Sequence, residues 1–463
     1  MKLAIIGGGI SGLAAAWQAH QDGLKFDIFE AKDRFGGVIE TQYTEDDDVV
    51  LECGAESCLR SKPELLDLCH ELGLEDEIIS TTPENSGAFV VRDGQLHPIP
   101  QGFRLMAPSA WWPFLRSDLI SWTGKLRAGL DLVLPVKERG DGPEESLSQF
   151  VTRRLGAEIL DYLAQPLVAG IYGADPQSLS LEATMPLFQR LEQEHGSVIK
   201  GLRALGTETR AQGARYNLFF GLKRGFGSVI QALCEQLPKE SLHTGAAVDK
   251  VEKIDSGWQV TVRGQKPQKY DAVIIALPAP RAATLIESFA GDVAASLKEI
   301  LYRGAVTVNI AYDRAEYLHW IPRAYGFVVP AGERRPILAC TFSSRKWLHR
   351  GSEKQGIVRT YFGGPTMEWA NTASDEDLLA LSRSQLEELL GIDAEPLEYR
   401  VHRWPVGLPE YKVGHRQKVQ QIRQSLESHS GIALVGNYLD GVGMPDCVQL
   451  GRKAVGQVSA ALV

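Results

Sequence analysis

The opening "KLAIIGGGISGL" constrains the fold more than any other stretch of the chain. "KLAII" is a short, unbroken apolar run of the kind used by a strand buried on both faces. Gly7, Gly9 and Gly12 then give G-x-G-x-x-G, and an alanine-rich stretch running to about Asp22 has the composition of a helix. In that setting each glycine has a task. The first allows the tight turn, the second lets the backbone approach a pyrophosphate, and the third lets helix and strand pack closely. The helix start offers amide donors and a positive dipole end to the phosphates. "KFDIFEA" makes a second strand ending on Glu30, which completes a unit of about 30 residues. A carboxylate there accepts from ribose hydroxyls and favours FAD or NAD over NADP; read alone, Glu30 is only a solvated strand end.

Length asks for more than one core: 463 residues read as two or three domains. A formal charge of −9 argues against nucleic-acid binding, which needs cations to displace counterions from phosphate. Six cysteines without a regular framework fit reduced thiols inside a cell, and no metal centre is expected. "MKLAIIGGG" runs straight into the strand, so no secretory leader is expected, and no apolar run of about 18 residues suggests a membrane span. These features point to a cytoplasmic protein with at most a peripheral membrane contact.

Further along, residues 62–79 read as a helix and "AFVVRDGQLHPIP" as a hairpin turning at Asp93-Gly94. Residues 103–215 are mainly helical, with a polar linker in "VKERGDGPEES" and three of the nine tryptophans in "APSAWWPFLRSDLISWTG". Trp111, Trp112 and Trp122 read either as an inter-helix core or as a seat in a lipid interface. A helix, a strand meander and the apolar strand "YDAVIIALP" follow residue 221, and residues 300–365 alternate like antiparallel strands. The end returns to a buried strand, "IALVG", a glycine turn and a helix. The fold class expected is α/β: a discontinuous Rossmann-like nucleotide-binding domain in segments 1–85, 216–295 and 415–463. An antiparallel-sheet substrate domain takes 86–102 and 296–414, and a helical insertion takes 103–215.

"LECGAESC" places Cys53 and Cys58 downstream of the fingerprint, as a redox dithiol would be. A flavoprotein disulfide reductase also needs a second glycine fingerprint in mid-chain, which is missing, and Cys53 lies sixteen residues beyond Gly37. "EAKDRFGG", with Arg34, Gly36 and Gly37, resembles the second signature of the amine-oxidase-like flavoproteins. "ECGAES" resembles their flavin-contacting turn, and "GIALVGNYLDGVGMPDCVQLG" their C-terminal segment. The resemblance implies non-covalent FAD. It assigns contacts to Gly7, Gly8, Gly9, Ile10, Ser11, Gly12, Glu30, Ala31, Arg34, Gly37 and Val38. It adds the turn Gly54, Ala55, Glu56 and Ser57, with Val248, Trp404, Val442, Gly443 and Met444.

Four further stretches, "QPLVAGIYGADPQSLS", "EQEHGSVIKGL", "HRWPVGLPEYKVGH" and "GNYLDGVGMPDC", resemble the porphyrinogen oxidases of haem biosynthesis. The match to the soluble bacterial coproporphyrinogen III oxidases is the closest; Gly173-Ala174 departs from the family's usual "YAGD". That family removes six electrons from a porphyrinogen in three two-electron steps, reoxidising the flavin with oxygen and releasing hydrogen peroxide. The substrate is an apolar macrocycle with anionic propionates, which calls for an apolar slot and a few cations. The resemblance places Gly170, Val328 and Tyr361 in the pocket; Arg60 and Lys62, which follow the flavin-contacting turn, read as candidate rim cations or equally as a solvated helix start. It also implies hand-over of product to the next haem-pathway enzyme. His195 and His415 read as structural hydrogen-bonders, Trp404 and Tyr361 equally as core residues. Ala88 stands where the mitochondrial and plastid protoporphyrinogen oxidases carry a propionate-pairing arginine. Protoporphyrinogen IX remains a rival substrate; an amine oxidase, a carotenoid desaturase or a flavin-binding module without turnover are the more distant readings.

Overall fold

The first strand, Lys2–Ile6, is buried at four of its five residues, as an unbroken apolar run requires. In the computed structural model, which describes the chain apart from residues 46–47, 105, 138–142, 212–217, 365–366 and 461–463, that strand is the centre of a five-stranded parallel sheet. Its order is Leu242–His243, Lys25–Phe29, Lys2–Ile6, Ala272–Ile275 and Ile432–Leu434. Three distant chain segments therefore supply one sheet, held in register by pairs such as Ile5 with Ile28 and Ile274. The helix Ile10–Gln21 buries Leu13 and Ala14 to Ala16 between this sheet and the C-terminal helix Met444–Ala460. The fold is α/β, with a discontinuous Rossmann-like sheet.

A second sheet of seven strands runs Glu398–Pro409, Tyr302–Asp313, Gln355–Gly363, Ala339–Thr341, Gly326–Val328, Phe89–Arg92 and Gln95–Pro98. The hairpin at 89–98 forms with Asp93 and Gly94 both at positive φ, the pair of conformations a type I′ turn needs. It joins the sheet through a parallel pairing of Phe89 and Val90 with Phe327 and Val328, so the sheet is mixed at that end rather than wholly antiparallel. A helical body between Trp111 and Ala211 packs its own apolar core on this sheet through Val90 and Tyr411. Part of the linker read in "VKERGDGPEES" and the boundary at 215 lie outside the described residues.

Two expectations are corrected. The helix over 62–79 stops at Glu71, because Gly73 takes the left-handed conformation (φ 71°) that ends helices, and Ile78–Ser80 pairs as a strand with Phe220–Leu222. The tryptophans do not share one environment. Trp111 packs against Phe114, while Trp112 and Trp122 are 72% and 67% exposed, so the inter-helix core holds only the first.

Candidate active site

The carboxyl end of the first strand carries the glycine turn. A side chain at Gly7 would put Cβ 2.3 Å from the Ala276 carbonyl oxygen, and one at Gly12 would put it 1.9 Å from that of Gly7. Those two glycines are required by the fold itself. Gly9 is different: nothing lies within 4 Å of where its Cβ would be, and no side chain caps the helix that it starts. The first-turn amides around Ile10 and Ser11 are therefore left for a ligand.

Glu30 accepts from the Gly8 amide at 2.7 Å and from the Lys32 amide at 2.8 Å. A carboxylate has about four acceptor positions, so two remain for ribose hydroxyls. Gly36 donates its amide to the Gly8 carbonyl at 2.8 Å, and the Gly37 backbone lies against Gly9. Arg34 works inside this turn: its guanidinium donates to the carbonyls of Phe35, Gly37 and Ile39 and pairs with Glu40. Amides of Gly245 and Ala246 bond the carbonyls of Lys32 and Glu30, which brings the loop before half-buried Val248 to the same edge, beside Ala31.

Beyond Val38 the chain opens into a cleft of about 2870 Å³. Val38, Gly54 to Ser57, Trp404 and Val442 to Met444 line it, together with Gly170, Tyr361 and Lys62. A Cβ at Gly54 would sit 2.1 Å from the Val38 carbonyl oxygen, so this turn can approach only as glycine. The Trp404 indole donates to the Cys53 carbonyl at 2.8 Å, which fixes its ring on the wall. Met444 starts the C-terminal helix, and Asp446 in its first turn accepts from Gly443 and from the Lys62 ammonium, the latter at 2.6 Å. Lys62 is thus already paired. Tyr361 shares a hydrogen bond of 3.1 Å with Thr341, and burial pushes its phenol up to about 12. Gly170, on the helix Gln165–Tyr172, presents bare backbone to the cleft.

Of the six residues predicted for the substrate pocket, three lie off the cleft wall. Arg60 bonds Ser80 and covers the Phe220 ring, and Val328 packs on the helical core. Ala88 is beside the wall rather than on it, its carbonyl accepting from Ile99, which does line the cleft. Among the described residues no histidine lines it. His415 is buried, stacked on Tyr411 and bonded to the Leu439 carbonyl, while His195 ends the helix Pro186–His195.

All six cysteines are free, and burial pushes the Cys53 thiol up to about 12 and that of Cys58 higher still. Cys53, Glu40 and His402 bring ligand atoms within 4.8 Å of one another, yet Glu40 is engaged by Arg34 and Gln42 and the thiol stays protonated. The sequence reading missed Lys346 and Arg359, which also line the cleft. Arg359 had a signal: in "IVRTY" it alternates onto the face of Ile357 and Tyr361, a charge on an inward face.

FAD fits what is present: open space over Gly9, uncapped first-turn amides, unused acceptors on Glu30, and a cleft continuous with Gly37-Val38. Comparison with known proteins agrees. The model of the flavin containing amine oxidoreductases matches residues 10–459. The coproporphyrinogen III oxidase of Bacillus subtilis (strain 168) is 31% identical over 97% of this chain and 96% of its own length. That of Staphylococcus aureus (strain NCTC 8325 / PS 47) is 31% identical over 100% and 99%. A crystal structure from Exiguobacterium sp. 255-15, provisionally named a protoporphyrinogen oxidase, superposes with a TM-score of 0.87 at 28% identity, covering 100% of this chain and 98% of that one.

Proposed function

The chain belongs to the flavin containing amine oxidoreductase family and is an FAD-dependent oxidoreductase, and from that premise we propose that it oxidises a porphyrinogen of haem biosynthesis, coproporphyrinogen III by preference. The observation that carries this is the single cleft: it joins the turn 54–57, Trp404 and residues 442–444, read as flavin contacts, to Gly170 and Tyr361, read as substrate contacts. Its volume of about 2870 Å³ exceeds the roughly 300–1,000 Å³ of a drug-sized site and leaves room for a flavin ring and a macrocycle together.

When bound, FAD supplies acceptance of a hydride from a methylene bridge and return of the electrons to oxygen, three times over for a six-electron oxidation with hydrogen peroxide released. The chain's own residues orient and exclude water. Trp404, pinned by Cys53, and the bare backbone of Gly170 shape a flat slot, and a wall without histidine suits chemistry that needs no general acid or base. Free, buried thiols fit a cytoplasmic setting. The exposed face Trp122, Leu126, Leu130 and Val133 is a peripheral contact for a lipid surface, and Trp112, at the cleft, is exposed as well.

A steady-state comparison of coproporphyrinogen III with protoporphyrinogen IX, read by porphyrin fluorescence, tests the assignment. Faster turnover of the former is expected. Position 88 lies next to Ile99 across a backbone hydrogen bond, so Ala88→Arg should bring a guanidinium toward the wall and shift the preference toward protoporphyrinogen, by a few-fold if exposed and up to about a hundredfold if desolvated. A wild-type enzyme much faster on protoporphyrinogen IX would reverse the substrate order. Failure of either porphyrinogen to bleach the bound flavin under nitrogen would leave an amine oxidase or a silent flavin module.

A further inference from the structure

Two cations on the cleft wall, one buried and one largely so, have no task in the reading so far. Lys346 ends the short helix Ser343–Lys346, with its side chain 13% exposed. Its ammonium lies 3.2 Å from Ser57 Oγ and 3.8 Å from Glu56 Oε2, so of its three donors only one is used at hydrogen-bond distance. Arg359 is 1% exposed. Its Nη2 donates to the carbonyls of Cys53 and Gly54 at 3.2 and 2.5 Å, while Nε and Nη1 are buried without a partner.

The charge around them does not balance. Lys346, Arg359 and buried Arg350 are three cations, and among the described residues the carboxylates that act directly on Lys346 and Arg350 are Glu52 and Glu56. Burial raises the affinity of Glu52 for a proton and lowers that of Lys346 and Arg350, so the charges of this cluster are incompletely compensated. For Glu56, Lys346 and Arg359 outweigh the burial and hold its carboxyl below the usual range. A surplus buried cation with idle donors is costly unless an anion completes it. The phosphates of a dinucleotide belong to the turn at Gly9, on a different element, so they are not that anion.

We propose that Lys346 and Arg359 form a subsite for a carboxylate of the substrate, on the cleft wall beside the turn 54–57. The proposal rests on the porphyrinogen reading, since it is the propionate arms of that macrocycle that bring carboxylates into an otherwise apolar slot. A charge-assisted hydrogen bond from Lys346 Nζ, reinforced by the field of the buried Arg359 guanidinium, holds the arm and sets the macrocycle's rotation against the flavin. Substrates with carboxylates on more of their rim fill the subsite in more orientations, which favours four arms over two.

The test uses the holoenzyme and its Lys346→Met and Lys346→Arg variants. Binding of coproporphyrin III and of an octa-alkyl porphyrin without carboxylates is followed by quenching of porphyrin fluorescence, with the flavin midpoint potential measured alongside. Lys346→Met should weaken coproporphyrin III about ten- to hundredfold, leave the alkyl porphyrin within about threefold, and Lys346→Arg should restore most of the loss. A shifted midpoint potential with unchanged coproporphyrin affinity overturns the subsite and gives the cation to the flavin. Equal losses for both porphyrins also overturn it, reducing Lys346 to a packing role. A wild-type holoenzyme that binds neither porphyrin overturns the porphyrinogen reading, and the subsite with it.

Discussion

Single residues divide into those that the backbone demands and those left for a ligand. Gly12 has a carbonyl oxygen 1.9 Å from where its Cβ would be, whereas Gly9 has nothing within 4 Å. Gly12→Ala should therefore fail to give soluble protein. Gly9→Ala should fold, with the thermal midpoint of its apo form near wild type, yet bind FAD at least about tenfold more weakly, because the added methyl fills the space a pyrophosphate needs. Equal FAD affinity in a flavin titration would remove Gly9 from the site. The cysteines follow the same logic. Burial pushes Cys53 up to about 12, so neither it nor the more deeply shifted Cys58 supplies a thiolate at neutral pH. The double variant Cys53→Ser, Cys58→Ser should keep most of the turnover. A loss of several orders of magnitude with FAD still bound would revive the dithiol relay.

At the scale of elements, the helix Ile10–Gln21 is held from behind by Met444–Ala460. Close approach depends on Ala14 to Ala16 on one side and Gly451 on the other, where a Cβ would meet the Ser11 carbonyl oxygen at 2.1 Å. The last turns of the chain thereby position the uncapped amides at the start of that helix. Gly451→Ala should cost about 1–3 kcal/mol in chemical denaturation through overpacking, and should weaken FAD because Ser11 is displaced. Unchanged flavin affinity alongside the loss of stability would show that the helix start does not move with its neighbour. The strand, helix and hairpin signals near the N-terminus were legible because local periodicity and turn residues act within a few residues. The helix over 62–79 was misread because Gly73 and pairing with residues 220–222 decide its end, and that pairing partner is remote in sequence.

For the whole molecule, the exposed apolar face of the helical body is the feature whose role depends on surroundings. Leu126 and Val133 are 72% and 78% exposed, in line with Trp122, and the Lys125 ammonium lies 4.4 Å from the Trp122 ring. Cosedimentation with anionic vesicles is expected, and Trp112→Ser with Trp122→Ser should abolish it. No cosedimentation even at low salt would leave the face without a lipid role. No helix among the described residues is long and apolar enough to cross a membrane. The sequence by itself determined the glycine turn after the first strand and the fold class, because glycines and an apolar run state backbone requirements locally. Only the tertiary structure decided which cations meet. Lys346, Arg359 and Glu56 are separated by up to about 300 positions and converge through strand pairing and a turn, and an unbalanced buried charge exists only once three segments have packed. The same packing paired Lys62 with Asp446 and moved Arg60 off the cleft, since neighbours distant in sequence choose each cation's partner.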